Sequence, residues 1–258
     1  MAAHTITVIE VASVPDLIQR IVEQFSGKPT VLFRGQRNIK WDLTPRLGRT
    51  YLRQRYQSRS VIEVEQLMLD EFERLAIPFI GNKLLTKWDQ LALAQHHGLP
   101  TRLLDWTSNP LIALWFAIQH IPEEKGSAVV WAYETSETDI VDINRQLPNE
   151  IGKTMVFRPK HHDSRIIAQS GWFTVHAYMP NKLRFSSLHL IPEQRSKLIK
   201  FKIPFNYFSG IREDLSLCGV NSMSLFPDLS GLTKHLEWQF SPAEDEIPYD
   251  KTGWGSMS

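Results

Sequence analysis

Two spacings of apolar residues, one strand-like and one helical, lay out the elements of this chain. Residues 5–11 read as a short strand. Ser13 then caps a helix that accepts Pro15 in its first turn and carries Leu17, Ile21 and Phe25 along one face until Gly27 ends it. The β-prone stretch 30–33 predicts a strand with Arg34 at its end and Gly35 in the following turn. Between residues 61 and 76, Val64, Leu67, Met68, Phe72 and Leu75 recur at helical spacing among acidic residues. Thr86 and Asp89 form a capping box for a helix through Trp88, Leu91 and Ala94, stopped by Gly98 and Pro100. Pro110 opens another, with Leu111, Leu114, Trp115 and Ile118 on one face and Ala113 and Ala117 permitting close packing; its apolar surround predicts burial. Residues 128–133, 171–178 and 198–203 read as strands, and 224–232 as a turn and helix start capped by Asp228. The order predicts an α+β fold in one mixed domain, residues 1–240, followed by a loosely held tail, 241–258, rich in acidic residues, Gly, Ser and Pro.

Composition narrows the functional classes. A chain of 258 residues, 42% hydrophobic and 22% charged, can bury one large core or two modest ones. A net charge of +1 excludes global attraction to nucleic acid or membrane, so any polyanion site must be local. Arg46, Arg49, Arg53 and Arg55 offer such a patch, with a solvated helix face as the plainer reading. A lone cysteine, Cys218, excludes an internal disulfide and Cys-rich zinc sites, and reads as a buried free thiol in a reducing compartment. The start of the sequence shows no basic-then-apolar leader, and the longest apolar run, 111–118, is too short to cross a bilayer. The expectation is a cytoplasmic protein without a membrane partner, its eight tryptophans mostly in the core.

Three segments set polar groups in apolar surroundings, which costs free energy unless those groups are paired or used. In Phe33-Arg34-Gly35-Gln36 the guanidinium is a planar donor fork suited to phosphate or carboxylate, with a structural salt bridge as the plainer reading of the tripeptide alone. The dense run 96–117 holds Arg102 and Asp105, then Thr107, Ser108 and Asn109 as a hydroxyl and amide turn; that turn can face a ligand, cap the helix, or both. His96 and His97 fall in a last helical turn, where imidazoles can satisfy free carbonyls. In 165–178, Gln169 precedes a strand and can be a ligand amide or a strand-end partner. A hydrolase triad from His96, His97, Asp105 and Ser108 is disfavoured by the absence of a glycine-flanked nucleophile elbow. The neighbours His161, His162 and Asp163 read as an exposed loop rather than a metal site, and no metal is expected.

The succession FRG, then HGLPTRLLDWT with NP and an apolar helix, then RI with AQ-x-G-x-F, then LFPDL, resembles the FRG-domain family over residues 6–236. That family in turn looks like a distant relation of the ADP-ribosyltransferase fold, which implies a split β-sheet core with flanking helices and NAD as co-substrate. By resemblance, Arg34 matches the arginine that holds NAD phosphate or ribose, and Thr107 or Ser108 the hydroxyl that orients the nicotinamide ribose. Gly35, Gln36, Arg102 and Asn109 complete the expected cofactor-binding set. The chain departs from the pattern where the catalytic glutamate belongs: Gln169 fits the first position of that motif, and Gly171 stands at the second. Arg34, Asp105 and Gln169 are therefore the expected catalytic groups, with Asp105 the carboxylate candidate. The implied partner is a protein or nucleic-acid acceptor, and the implied role a toxin or anti-phage defence effector held by an antitoxin or inhibitor. The alternative is a noncatalytic nucleotide- or partner-binding module, for which the missing glutamate speaks.

Overall fold

The computed structural model describes residues 5–81, 85–121, 126–160, 164–179, 184–241, 243, 245 and 246. Its centre is a seven-stranded sheet in the order β1-β9-β4-β2-β3-β6-β5. The strands are β1 Thr7–Glu10, β2 Thr30–Gln36, β3 Leu103–Thr107, β4 Ser127–Thr135, β5 Met155–Phe157, β6 Gly171–Val175 and β9 Leu198–Pro204. Only β1 and β9 run parallel; the other neighbours are antiparallel. A small hairpin, β7 Tyr178–Met179 with β8 Arg184–Phe185, stands beside the sheet.

The longer helices of the first half of the chain begin at the caps that predict them. α1, Val14–Phe25, starts at Ser13, whose side chain accepts from the Asp16 amide. α2, Val61–Ile80, and α3, Lys87–His96, both begin with full capping boxes, Ser60 with Glu63 and Thr86 with Asp89. α4, Pro110–Ile118, is capped by Asn109 and buried as its composition requires. Shorter helices follow: α5 Ser164–Ala168, α6 Pro192–Arg195 and α8 Ser222–Leu225, alongside α7 Phe208–Leu217 and α9 Leu229–Phe240, the last capped by Asp228.

Side-chain alternation then sorts the core. Phe33 and Ala132 face α1, α4 and α7, while Leu32, Trp106, Trp131 and Tyr133 fill the opposite face. A third cluster joins α3 to the far half of the sheet through Trp88, Leu91, Leu103, Phe157 and Phe173.

One topological feature positions the site. β2 pairs with β4 along its whole length, and β3 pairs with β6 over five residues, yet β2 and β3 share only the pair Phe33 with Thr107. Beyond that pair the two strands part, and the sheet opens between its halves.

The structure corrects several expectations. β2 continues through Gln36, so Arg34 and Gly35 lie inside the strand and not at its end, because Gly35 is packed directly beneath α4. The strand expected over 171–178 ends at Val175, where His176 turns its ring inward. β5 and α7 carry no expectation from the sequence. Cys218 is exposed at the C-cap of α7 rather than buried. The arginines of the patch at 46–55 share no helix: Arg46 and Arg49 sit in one 3-10 turn and Arg55 in another. His161, His162 and Asp163 lie outside the described residues. Within the tail, Asp245 and Glu246 pair with the buried guanidinium of Arg212. Among the described residues, no helix is long and apolar enough to cross a membrane.

Candidate functional site

A cleft of about 370 Å³ occupies the gap between β2 and β3. One wall is the C-terminal end of α3, with Gln95 and His96, and another is α4, with Ala113 and Phe116. Phe33, Arg34 and Gly35 enter from β2, and Asp105, Trp106 and Thr107 from β3. Arg165, Ile166, Gln169 and Gly171 line the far side, and Phe226 completes the lining. Trp106 and Trp172 contribute indole walls without filling the space. Four stretches far apart in the sequence thus converge on one hollow, of a size that suits a small organic ligand.

Arg34 is the central cation. Its side chain is only 19% exposed, and Nη1 donates to the Asp105 carbonyl at 2.7 Å while standing 3.7 Å from the Asp105 carboxylate. The buried Nε–H has no acceptor among the described residues. A buried donor left without a partner is uncommon and calls for an explanation, such as a ligand oxygen. Desolvation pulls Arg34 below its ordinary pKa, Asp105 opposes the shift, and the nearby charge of Arg49 adds to it. Arginine remains a cation through such a shift.

Asp105 is 57% exposed, and its orientation is fixed from behind. Gln95 Nε2 donates to both carboxylate oxygens, at 3.2 and 3.0 Å, and Gln95 Oε1 accepts from Thr101 at 2.7 Å. Thr107 lies two residues along the same strand, hence on the same face. Its hydroxyl oxygen accepts from the Asn109 amide at 3.1 Å, which leaves its proton available. Gln169 Nε2 is bound to the Leu225 carbonyl at 3.2 Å, leaving its Oε1 as an acceptor. Ser170, between Gln169 and β6, adopts φ 47°, a left-handed conformation in which a residue other than glycine is strained. Gly171 pairs with Thr107 across the β3–β6 ladder, so the position lacking a carboxylate lies beside the hydroxyl.

The expected set therefore divides. Arg34, Gly35, Asp105, Thr107 and Gln169 meet in the cleft. Ser108 is exposed outside its lining, and Asn109 serves as the cap of α4 through a 2.9 Å bond to the Leu111 amide. Gln36 is buried, accepting from Trp131 at 2.8 Å and donating to the Asp42 carbonyl at 3.2 Å. Arg102 is corrected outright: it is 5% exposed, bound through Nε to Glu65 at 2.6 Å and through Nη1 to the Pro148 carbonyl at 3.0 Å. Its donors are consumed away from the cleft, so it holds the fold and not a cofactor. Sequence reasoning missed Gln95, whose signal is only its place one turn before the helix stop.

The pattern of motifs has a recognisable match: residues 29–126 fit the FRG domain model. That stretch is an FRG domain. The matched segment supplies β2, α3, β3 and α4, which form the near walls of the cleft, while α5, β6 and Phe226 come from beyond it. Neither a curated protein nor a solved structure matches the chain. Within the FRG motif the three residues divide the work: Phe33 is core, Gly35 admits α4, and Arg34 addresses the cleft.

A buried histidine supports the cleft wall. Trp106 Nε1 donates to Thr174 Oγ1 at 3.1 Å; Thr174 lies 3.0 Å from His176 Nε2, and His176 Nδ1 lies 3.1 Å from the Ser186 carbonyl. A carbonyl can only accept, so Nδ1 carries the proton and Nε2 accepts from Thr174. Burial, helped by the charge of Arg34 and opposed by the Ser186 bond, pushes the His176 pKa down from 6.5 to about 4. The unfolded chain takes up this proton first. The stabilisation is therefore complete above pH 6.5 and drains away as pH falls toward 4, by about 3 kcal/mol. Thermal melts between pH 7 and 4.5 should show that loss, and His176→Asn should remove its share of the slope; a slope unchanged in the variant would refute the assignment.

Proposed function

We propose that the cleft binds an NAD-type dinucleotide and that the protein transfers ADP-ribose to an acceptor. The observation that carries this reading is the meeting of Arg34, with its unsatisfied Nε, and the Asp105 and Thr107 side chains across the opening between β2 and β3. In this reading the guanidinium takes a phosphate oxygen, and Thr107 and Gln169 Oε1 take ribose hydroxyls. Asp105, held by Gln95, puts negative charge beside the ribose C1′. The C1′–N bond breaks with its electron pair leaving on nicotinamide. The acceptor's lone pair then forms a bond to C1′, and its proton passes to solvent. A fixed carboxylate stabilises the intervening oxocarbenium charge, the role for which Gly171 provides nothing. Such a transferase acting alone fits a toxin or anti-phage effector restrained by an inhibitor protein.

What supports the reading is an opened sheet with an arginine on one lip and a hydroxyl on the other. Purified protein incubated with labelled NAD and cell lysate should release nicotinamide and label an acceptor. Asp105→Asn should lower that release roughly a hundredfold. Because Asp105 is largely exposed, its melting temperature should stay close to that of the parent. A second reading, a noncatalytic nucleotide-binding module, is favoured by the glycine at position 171; it predicts NAD binding with no nicotinamide release from the parent protein.

A further inference from the structure

Next to the cleft lies a second pocket of about 590 Å³, and Arg34, Gly35 and Phe116 line both. Its remaining lining includes Arg37, Lys40, Trp41, Arg49 and His120. Arg37, Lys40 and Arg49 are exposed, and neither Lys40 nor Arg49 has an ion-pair partner among the described residues. Asp42, the acid in the lining, lies 3.3 Å from His189 Nε2. The Arg37 guanidinium lies 5.1 Å from the Trp41 ring centroid, and Trp41 remains 44% exposed. Between residues 37 and 59 there are seven Lys and Arg residues against the single acid Asp42, in a chain whose net charge is only +1. The local field reaches neighbouring groups: after desolvation, the charges of Arg37 and Lys234 hold His120 below its ordinary pKa.

Unpaired cations around an exposed indole have a specific use. The cations suit a row of phosphates, and an aromatic ring offers a stacking face to a base of any identity. A duplex keeps its bases stacked on one another and has none to offer Trp41, whereas a single strand can turn one outward. An acidic peptide satisfies the cations and leaves the indole without a role.

We propose that this pocket seats the backbone of a single-stranded nucleic acid with a base on Trp41, and that this strand is the acceptor of the transferred group. The acceptor role rests on the transferase reading; the binding does not. The shared wall brings a strand in the second pocket up to Arg34, at the edge of the space where ADP-ribose would be released.

The test is fluorescence anisotropy of a labelled 12-nucleotide oligothymidylate, without NAD, between 50 and 200 mM salt. Affinity should fall with salt, with a slope of about 0.7 per phosphate neutralised. The double variant Arg37→Gln/Lys40→Gln should bind about tenfold more weakly with a shallower slope. Trp41→Ala should weaken binding about fivefold or more at unchanged slope. All three side chains are exposed, so melting temperatures should hold and a folding defect would be recognised. Absent or salt-independent binding, indifference to Trp41→Ala, or displacement by polyglutamate of equal charge as readily as by unlabelled oligonucleotide would each overturn the proposal. Nicotinamide release measured in parallel separates the two readings. Oligonucleotide binding without release defeats the transferase reading and the acceptor role with it but leaves the strand-binding proposal standing, and release without oligonucleotide binding defeats this proposal alone.

Discussion

Replacing Gly35 with alanine is expected to be among the most damaging single changes in the molecule. A Cβ at that position would stand 1.9 Å from the Ala113 carbonyl oxygen and 2.7 Å from the Ala117 amide nitrogen. Both are backbone atoms of α4, so no side-chain rotation can relieve the clash. Restoring contact near 3.4 Å would require the helix to rise by about 1.5 Å, and a dense interior transmits such a shift rather than absorbing it. The lifted helix would uncover Phe33, Ala113 and Leu114, which lie in one cluster. Overpacking ordinarily costs about 1–3 kcal/mol, and contact with main chain should bring the loss to about 4 kcal/mol. For a chain of this size that corresponds to a melting temperature lower by about 10 °C. Gly27 provides the contrast: its φ is 78° with open space around it, so Gly27→Ala should cost only about 1 kcal/mol. Equal melting of the Gly35→Ala variant and the parent would show that the contact of β2 with α4 yields more easily than its geometry indicates.

Elements with local punctuation are readable in the sequence alone. Ser13, Ser60, Thr86, Asn109 and Asp228 cap helices because their side chains accept backbone N–H groups close by in sequence, a relation that needs no tertiary information. The pairing of Ala113 and Ala117 announced a close approach, but the other half of that contact, Gly35, read as a turn residue. Nothing in the strand's own sequence indicates that a helix backbone lies over it. β5 has three residues and no period to detect, and it exists because β6 offers an edge. His176 ends β6 through a bond to Ser186, ten residues away, which no local pattern encodes.

The site was legible to a different degree. Motif order singles out Arg34, Asp105, Thr107 and Gln169 as candidates, and each lines the cleft. The assignment of Arg102 failed for a definite reason. A polar residue in an apolar run must be paired or used, and the sequence does not say which; its partner, Glu65, lies 37 positions earlier on α2, one of several acidic residues between that helix's apolar positions. The positive segment after β2 was likewise visible as composition, whereas the pocket it lines and its wall shared with the cleft are products of the opened sheet.

That buried pair defines the second large effect. Glu65 is 1% exposed and Arg102 is 5% exposed, and Glu65 accepts from both the main-chain N–H of Arg102 at 2.7 Å and its Nε at 2.6 Å. Glu65→Gln keeps the size and one acceptor oxygen but leaves the guanidinium charge buried with only the Pro148 carbonyl for company. Breaking a buried pair from one side costs about 3–5 kcal/mol, because the surviving charge retains its desolvation penalty. Removing that charge as well should recover much of the loss: in Glu65→Gln/Arg102→Met the glutamine oxygen still accepts the main-chain N–H, and methionine fills the space with an apolar chain. Denaturant melts of the single and double variants would check this, and a double variant no more stable than the single one would mean that the hydrogen bonds, not the unpaired charge, dominate. The consequence extends to the proposed site. Arg102 is three residues before Asp105, and α2 exposes Leu67, Leu75, Ile77 and Phe79 along its length, so this ion pair is a principal anchor of α2 at the start of β3. Loosening it should therefore weaken ligand binding in the cleft along with stability, although neither Glu65 nor Arg102 lines it.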